Sequence, residues 1–332
     1  MRGKDGICIM IRKKTTSATA AESMGKKVLR KAASGRRWAD LIYHIAIYIL
    51  LFDLAFVFLY PFFHMIVNSL KSPQDLIDIT VKIIPTSFYW KNYKIAFSAL
   101  NYAQAAKNSL LITLFTTSGH ILACSFIAYG FARFKFPGRE LFFMIVLFSM
   151  IVPIQVLIFP YYMQFSDWGW LNTYLPLIVP TFFGFGLRGG LYIFIFRQFF
   201  MGLPYELEEA AKIDGCSAFR TYWNIVLPVS KSSTLVAGVL SMVWHWNDCF
   251  EPGIYLTKQK LWPVPINIPT MYETLKALSS GQADEFMTEG EVLFNEGVVF
   301  AGTFLVILPI IIIYLILQRQ FMEGIERTGI VG

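Results

Sequence analysis

Acids and aromatic rings gather in one polar stretch, Leu203 to Ser230, reading LPYELEEAAKIDGCSAFRTYWNIVLPVS, which sits between two long apolar segments. Glu206, Glu208 and Glu209 fall where the positive end of a helix favours acids, Pro204 suits a first helical position, and Ala210 and Ala211 propagate the turn. Gly215 stops it by supplying a left-handed residue, and Ser217 can cap a second helix whose exit is marked by Pro228. On that second helix Phe219, Tyr222, Trp223 and Val226 share one face. The spacing predicts a compact, aromatic-faced knob of two short helices joined at a hard corner, a cytoplasmic device on a membrane protein. Glu209 and its neighbours, taken alone, also fit an ordinary surface helix with favourable end charges.

The other chemistry-bearing residues lie inside apolar runs. Arg188 falls near the middle of one, beside the glycines of GFGLRGG, and a charge there faces a cavity or a partner. It reads either as a contact to solute or to a gate, or as a structural tie to nearby carbonyls. Asp53 carries the same argument in the first apolar run, where packing against another subunit is the alternative. Trp244, Trp246 and Asn247 offer rings and an amide suited to stacking on and hydrogen-bonding a sugar, or to helix packing. His120 and His245 read as satisfied packing residues. No His or carboxylate cluster has metal-ligand or acid/base spacing, so no catalytic residue, metal or cofactor is expected. Cys8, Cys124, Cys216 and Cys249 show no paired spacing that would frame a disulfide.

These residues must be positioned by a membrane scaffold. With 55% hydrophobic and 17% aromatic residues and a mean hydropathy of +0.52 over 332 residues, the chain is too apolar for an ordinary soluble domain. Its net charge of +7 does not imply nucleic acid, because eleven Lys and Arg crowd into the first 37 residues against Asp5 and Glu22. That cluster predicts a cytoplasmic tail over residues 1–36, retained by its charge and able to touch anionic lipid headgroups, ahead of a transmembrane domain over 37–332. The first apolar run, with no small-residue cleavage site after it, is expected to be an uncleaved anchor.

At about 20 apolar residues per crossing, six transmembrane helices are expected, near Leu41 to Val67, Asn108 to Phe131, Leu141 to Phe165, Thr173 to Phe199, Ser233 to Tyr255 and Val298 to Leu317. Both termini then face the cytoplasm. Arg133, Lys135 and Arg139 fall in an inner loop, while Thr257 to Glu296 carries more acids than bases outside. The stretch Lys71 to Lys107, with Phe88, Tyr89, Trp90 and Tyr93, is expected along the outer interface. Pro153, Pro160, Pro176, Pro180 and the run Gly184 to Gly190 predict kinks or breaks, tolerated where they line a cavity.

Glu209, Ala210 and Ala211, then Asp214 and Gly215, then nine residues, then Ile225, Leu227 and Pro228 resemble the EAA loop of permease subunits in bacterial ATP-binding-cassette importers. AYGFARFKFPGR (Ala128 to Arg139), LNTYLPL (Leu171 to Leu177) and WHWND (Trp244 to Asp248) resemble the maltose-type carbohydrate branch. The resemblance covers most of the chain after about Asn108. It implies an all-α, type I importer permease fold in the bacterial cytoplasmic membrane, carrying a sugar or oligosaccharide. It further implies a second homologous permease subunit, an ATPase dimer and an extracytoplasmic solute-binding protein as partners. By it, Glu209 makes a polar contact to the ATPase, Asp214 holds the turn and Gly215 sets the corner.

The glycine-rich tail Gln318 to Gly332 resembles an inner segment reaching toward the ATPase, with Glu326 and Arg327 in place of the usual small residues. No Gly-x4-Gly-Lys-Ser/Thr phosphate loop occurs, so ATP hydrolysis falls to a partner. The rivals are a gradient-driven secondary transporter using Asp53 and Arg188, and a membrane-embedded enzyme; the EAA-like loop argues against both.

Overall fold

The computed structural model describes residues 41–279 and 295–329, all helix and connecting turns with no strand among them. The basic segment 1–36 and residues 280–294 of the expected outer stretch Thr257 to Glu296 lie outside the described residues. Two compact units are distinguished, Met1–His64 and Met65–Gly332. The described part of the first belongs to helix α1 (Leu41–Ser69), in which nearly every side chain from Leu41 to His64, Asp53 included, is exposed.

In the second unit α2 (Pro73–Ile77) and α3 (Lys91–Ala99) precede the long helix α4 (Tyr102–Arg133). The stretch from Lys71 is fastened before α3 begins. Lys71 donates from Nζ to the carbonyls of Val81 and Lys82 at 3.0 and 2.9 Å, and Asp75 accepts from the Thr86 amide and hydroxyl at 3.1 and 2.6 Å.

Helix α4 contains the second expected span, and α15 (Glu296–Gly329) contains the sixth. The third is an elbow, because α5 (Arg139–Ser149) and α6 (Ile154–Asp167) meet at 95° around Pro153, which lacks the amide a continuous helix would need. Pro160, in contrast, lies inside α6 without ending it.

The fourth expected span is discontinuous. α7 (Leu175–Ile178) runs into a tight turn at Val179–Phe183, Gly184 and Arg188 adopt left-handed backbone, and α8 (Gly189–Met201) then resumes. Its 13 residues rise only about 20 Å, short of the hydrocarbon core. The fifth, α12 (Lys231–Asn247), is interrupted by an extended Asp248 before α13 (Phe250–Tyr255). Among the described residues three helices are long and apolar enough to cross a membrane by themselves, and up to five spans are found if two bent pairs, α5 with α6 and Ala218–Val229 with α12, each count as one, against the six expected.

α4 is the spine on which α8 and α12 pack. Cys124, Ala128, Tyr129 and Ala132 of α4 bury against Tyr192, Ile193, Phe196 and Phe200 of α8 and Ala237 of α12. Small residues let these backbones approach, as membrane helices require in the absence of a hydrophobic drive between them. A Cβ on Gly190 would stand 2.9 Å from the Val146 carbonyl of α5, so that crossing admits no larger residue without a shift.

A second cluster joins α3 to α14 (Asn267–Ser279) and α15 through Ala96, Leu100, Met271, Leu275, Val298 and Ala301. Pro309 inside α15 cannot donate to the carbonyl of Leu305; the Tyr102 hydroxyl does so instead, at 2.8 Å. A polar group freed inside an apolar helix is thereby satisfied from a neighbouring one.

Candidate functional site

The polar knob starts after α8, as Gly202 to Tyr205 turn the chain into α9 (Glu206–Ile213). Pro204 therefore precedes the helix by two residues rather than opening it. The end of α9 is a complete left-handed cap. Gly215 has φ +77°, its amide donates to the Lys212 carbonyl at 3.0 Å, and the Cys216 amide donates to the Ala211 carbonyl at 2.9 Å. Those two bonds satisfy carbonyls that the helix end would otherwise orphan, and they require the left-handed residue.

Asp214 is the last residue before the corner and is exposed. Ser217 Oγ accepts from the Arg220 amide at 3.4 Å and opens α10 (Ala218–Thr221), as its residue type predicts.

Beyond α10 the helix widens into a single π turn over Tyr222–Val226 before α11 (Leu227–Val229), and α12 leaves at 78°. The expected aromatic residues adjoin, with Phe219 and Tyr222 both packing on Phe126 of α4, but they differ in burial. Tyr222 and Val226 are buried, and Tyr222 shares a 2.7 Å hydrogen bond with Ser125 of α4. Phe219 and Trp223 are exposed and lie parallel with ring centres 6.5 Å apart. Ile225 and Leu227 are half-buried and Pro228 is exposed. Along α9, Glu209 and Ala210 face outward and Ala211 is buried.

A buried charge pair lies under the knob. Arg133, the last residue of α4, meets Glu208 with Nε 2.7 Å from Oε1, and the two side chains are 2% and 8% exposed. The same guanidinium donates to the Leu203 carbonyl at 2.7 Å and stacks over the Tyr205 ring at 4.3 Å, while the Tyr129 hydroxyl reaches Glu208 Oε2 at 3.5 Å. Sequence reasoning placed Arg133 in a loop charge pattern and Glu208 among helix-end acids. Nothing in the sequence joined them, although each is a charge next to an apolar run.

The remaining candidates separate. Arg188, with φ +65°, stacks its guanidinium over Trp244 at 4.3 Å, and both are exposed. These two are brought together at the broken fourth segment. Trp246 is buried, with its ring N–H donating to the Val306 carbonyl at 3.0 Å, and Asn247 donates back to Val243 of its own helix at 2.8 Å. Trp246 thus ties α12 to α15, and Asn247 is exposed.

His120 and His245 also pack. His120 lies 3.3 Å from the Ser241 hydroxyl and 3.0 Å from the Phe185 carbonyl, and the two imidazoles sit 5.0 Å apart. Elsewhere Asn172, a left-handed residue at φ +60°, accepts at Oδ1 from the Thr257 amide and hydroxyl and the Lys258 amide at 2.8, 2.7 and 3.1 Å. Among the described residues no three His, Cys, Asp or Glu come together in a way that could hold a metal ion.

Residues 121–324 match the family described as binding-protein-dependent transport system inner membrane component. Among curated proteins the chain is 32% identical over 285 residues to a probable starch degradation products transport system permease protein of Thermoanaerobacterium thermosulfurigenes, covering 85% of this chain and 96% of that one. It is 29% identical to an arabinooligosaccharides transport system permease protein of Bacillus subtilis, covering 88% and 97%, and 29% identical to an sn-glycerol-3-phosphate transport system permease protein of Yersinia pestis, covering 87% and 97%. The fold is shared with a solved bacterial ABC transporter involved in import of the acidic polysaccharide alginate, at TM-score 0.69 and 21% identity over 85% of this chain and 98% of that one.

Proposed function

The chain belongs to the binding-protein-dependent transport system inner membrane component family, and from that membership we propose that it forms one half of the path by which an ABC importer carries a sugar or oligosaccharide across the cytoplasmic membrane. It acts as a transport subunit and hydrolyses nothing itself. Its partners are a second, homologous permease, an ABC ATPase dimer on the cytoplasmic face, a solute-binding protein outside and the surrounding lipid. Six crossings follow if the broken segment from α7 to α8 counts as one, and both termini are then cytoplasmic.

The observation that carries this reading is the corner at Gly215, with Glu209, Ala210 and Asp214 turned outward on one side and Phe219 and Trp223 on the other. In the proposed role this loop, Leu203 to Ser230, seats in the ATPase, Ile225, Leu227 and Ala211 hold its inner side, and the exposed Pro228 ends it. Closure of the ATPases around ATP then moves it as a rigid body. Arg188 and Trp244 are the candidates for contact with passing solute, Trp244 through its exposed ring face and Arg188 through donors not used in the stack. The names of the two sugar permeases at 32% and 29% identity support a carbohydrate as cargo.

The test is to isolate the complex gently from its native membrane, identify every chain by mass, and assay it in proteoliposomes with maltotriose, arabinotriose and sn-glycerol 3-phosphate. Recovery of an ATPase and a second permease, with ATP-dependent uptake of a sugar, is expected. A chain recovered alone that transports without ATP refutes the reading.

A further inference from the structure

We propose that Arg133 and Glu208 form a rigid joint that locks α9 to the cytoplasmic end of α4, so that movement imposed on α9 is delivered to α4 instead of being absorbed in the Gly202–Tyr205 turn. This rests on the coupling role proposed above. It adds a pair of positioning residues from outside the EAA-like pattern.

One guanidinium grips three points of a six-residue stretch. It pairs with Glu208 at 2.7 Å, donates to the Leu203 carbonyl at 2.7 Å and stacks on Tyr205 at 4.3 Å. Leu203 and Tyr205 precede α9 and Glu208 lies in its first turn, so the entry and the body of the helix are held by one side chain fixed to another helix. With both side chains almost wholly buried, water cannot take over either charge when the pair separates, and separation is correspondingly unfavourable.

The adjacent acids divide the work. Glu208 points inward to α4 and Glu209 outward to the cytoplasm. A second tie, from Tyr222 to Ser125, fixes the far side of the loop to the same helix about two turns back. A load arriving on the outer face of α9 thus reaches α4, the spine on which α8 and α12 pack, through short polar contacts in a dry environment.

The test uses the complete complex with its native ATPase, reconstituted in lipid, with the other cysteines replaced and nitroxides at Ile213→Cys on α9 and Leu122→Cys on α4, both exposed positions. The pair of labels is expected to give a single distance that is the same without nucleotide and with ATP and vanadate. Replacing the pair by apolar residues of similar bulk, Arg133→Met with Glu208→Leu, keeps the interior filled, and a buried ion pair so replaced often leaves folding intact. That variant is expected to split or shift the distance between the two nucleotide states.

Arg133→Lys keeps the charge but releases Leu203 and Tyr205, and is expected to broaden the distance without splitting it. A single unchanged distance in the apolar variant overturns the joint, as does a wild-type distance that itself shifts with nucleotide. Loss of the Arg133→Lys chain from the membrane also overturns it, since the pair would then serve folding. Failure to recover any ATPase with the chain instead overturns the coupling role and is read separately.

Discussion

Replacing Gly215 tests the corner by backbone geometry alone. No atom outside the neighbouring residues comes within 4 Å of where a Cβ at 215 would sit, so a larger side chain meets no clash there. The cost is in the dihedral, φ +77°, which for an L-residue is about 1–2 kcal/mol and highest for a β-branched one. The alternative is to abandon the left-handed conformation, which loses the bonds from the 215 and 216 amides to Lys212 and Ala211 at about 1 kcal/mol each. The two costs are of the same size. Gly215→Val is therefore expected to populate both a bent and a straightened corner, whereas Gly215→Asn, tolerant of this region, stays bent.

ATP-driven uptake by the reconstituted complex should fall in the order Gly, Asn, Ala, Val, with the chain inserted at equal abundance throughout. Hydrogen exchange at the amide of residue 216 should rise in the same order. Full uptake by the Val variant, or a Val variant lost from the membrane, refutes the idea that the dihedral at this corner transmits the coupling.

Three further perturbations check separate parts of the structure. Tyr102→Phe strips the Leu305 carbonyl of its donor and should destabilise the isolated complex by about 1–3 kcal/mol in a detergent unfolding titration; adding Pro309→Ala, which restores an amide, should recover most of the loss, and independent, additive effects would disprove the compensation. Asn172→Ala removes three accepted hydrogen bonds to Thr257 and Lys258, so hydrogen exchange there should quicken while that of the loop around Gly215 is unchanged; no change at Thr257 contradicts the clip. The carboxyl of Asp75 is held below its ordinary value of 3.8 chiefly by the Thr86 hydroxyl, so its stabilising contribution is complete above that value and vanishes as pH falls through the lower folded-state value. Protection of the Thr86 amide should follow that window, and Asp75→Asn should weaken it at neutral pH; protection independent of both is the contrary outcome.

What the sequence made legible is what punctuation and composition carry. Gly215 and Ser217 announced a corner and a cap because each supplies a local group that its neighbours need, whatever the rest of the chain does. The α4 and α15 helices were visible as long apolar runs. The elbow at Pro153 and the break at Gly184 to Arg188 were visible as missing donors and loosened backbone, but their consequence, segments too short to cross as straight helices, was not.

The Arg133–Glu208 pair was hidden because its partners are distant in sequence and each, alone, reads as a surface charge. Only the packing of α9 beneath α4 makes them one buried group. The aromatic face was legible only in part, because burial depends on what packs against it. Phe219 and Tyr222 do adjoin, both packing on Phe126, but the spacing did not show that Tyr222 and Val226 are buried while Phe219 and Trp223 stay exposed.

The π turn after α10 also holds slack. Its ladder closes over five residues where an α turn closes over four, so the stretch Tyr222–Val226 contains one residue more than the distance it covers demands. Removing the exposed Asn224 draws the turn into an ordinary helix and leaves its two ends near their places, whereas deleting Cys216 removes the amide that closes the α9 cap on the Ala211 carbonyl. The knob accordingly has a place where chain length is negotiable and a place where it is not, and they lie only a few residues apart. Single-residue gaps among related chains should collect at the first and avoid the second.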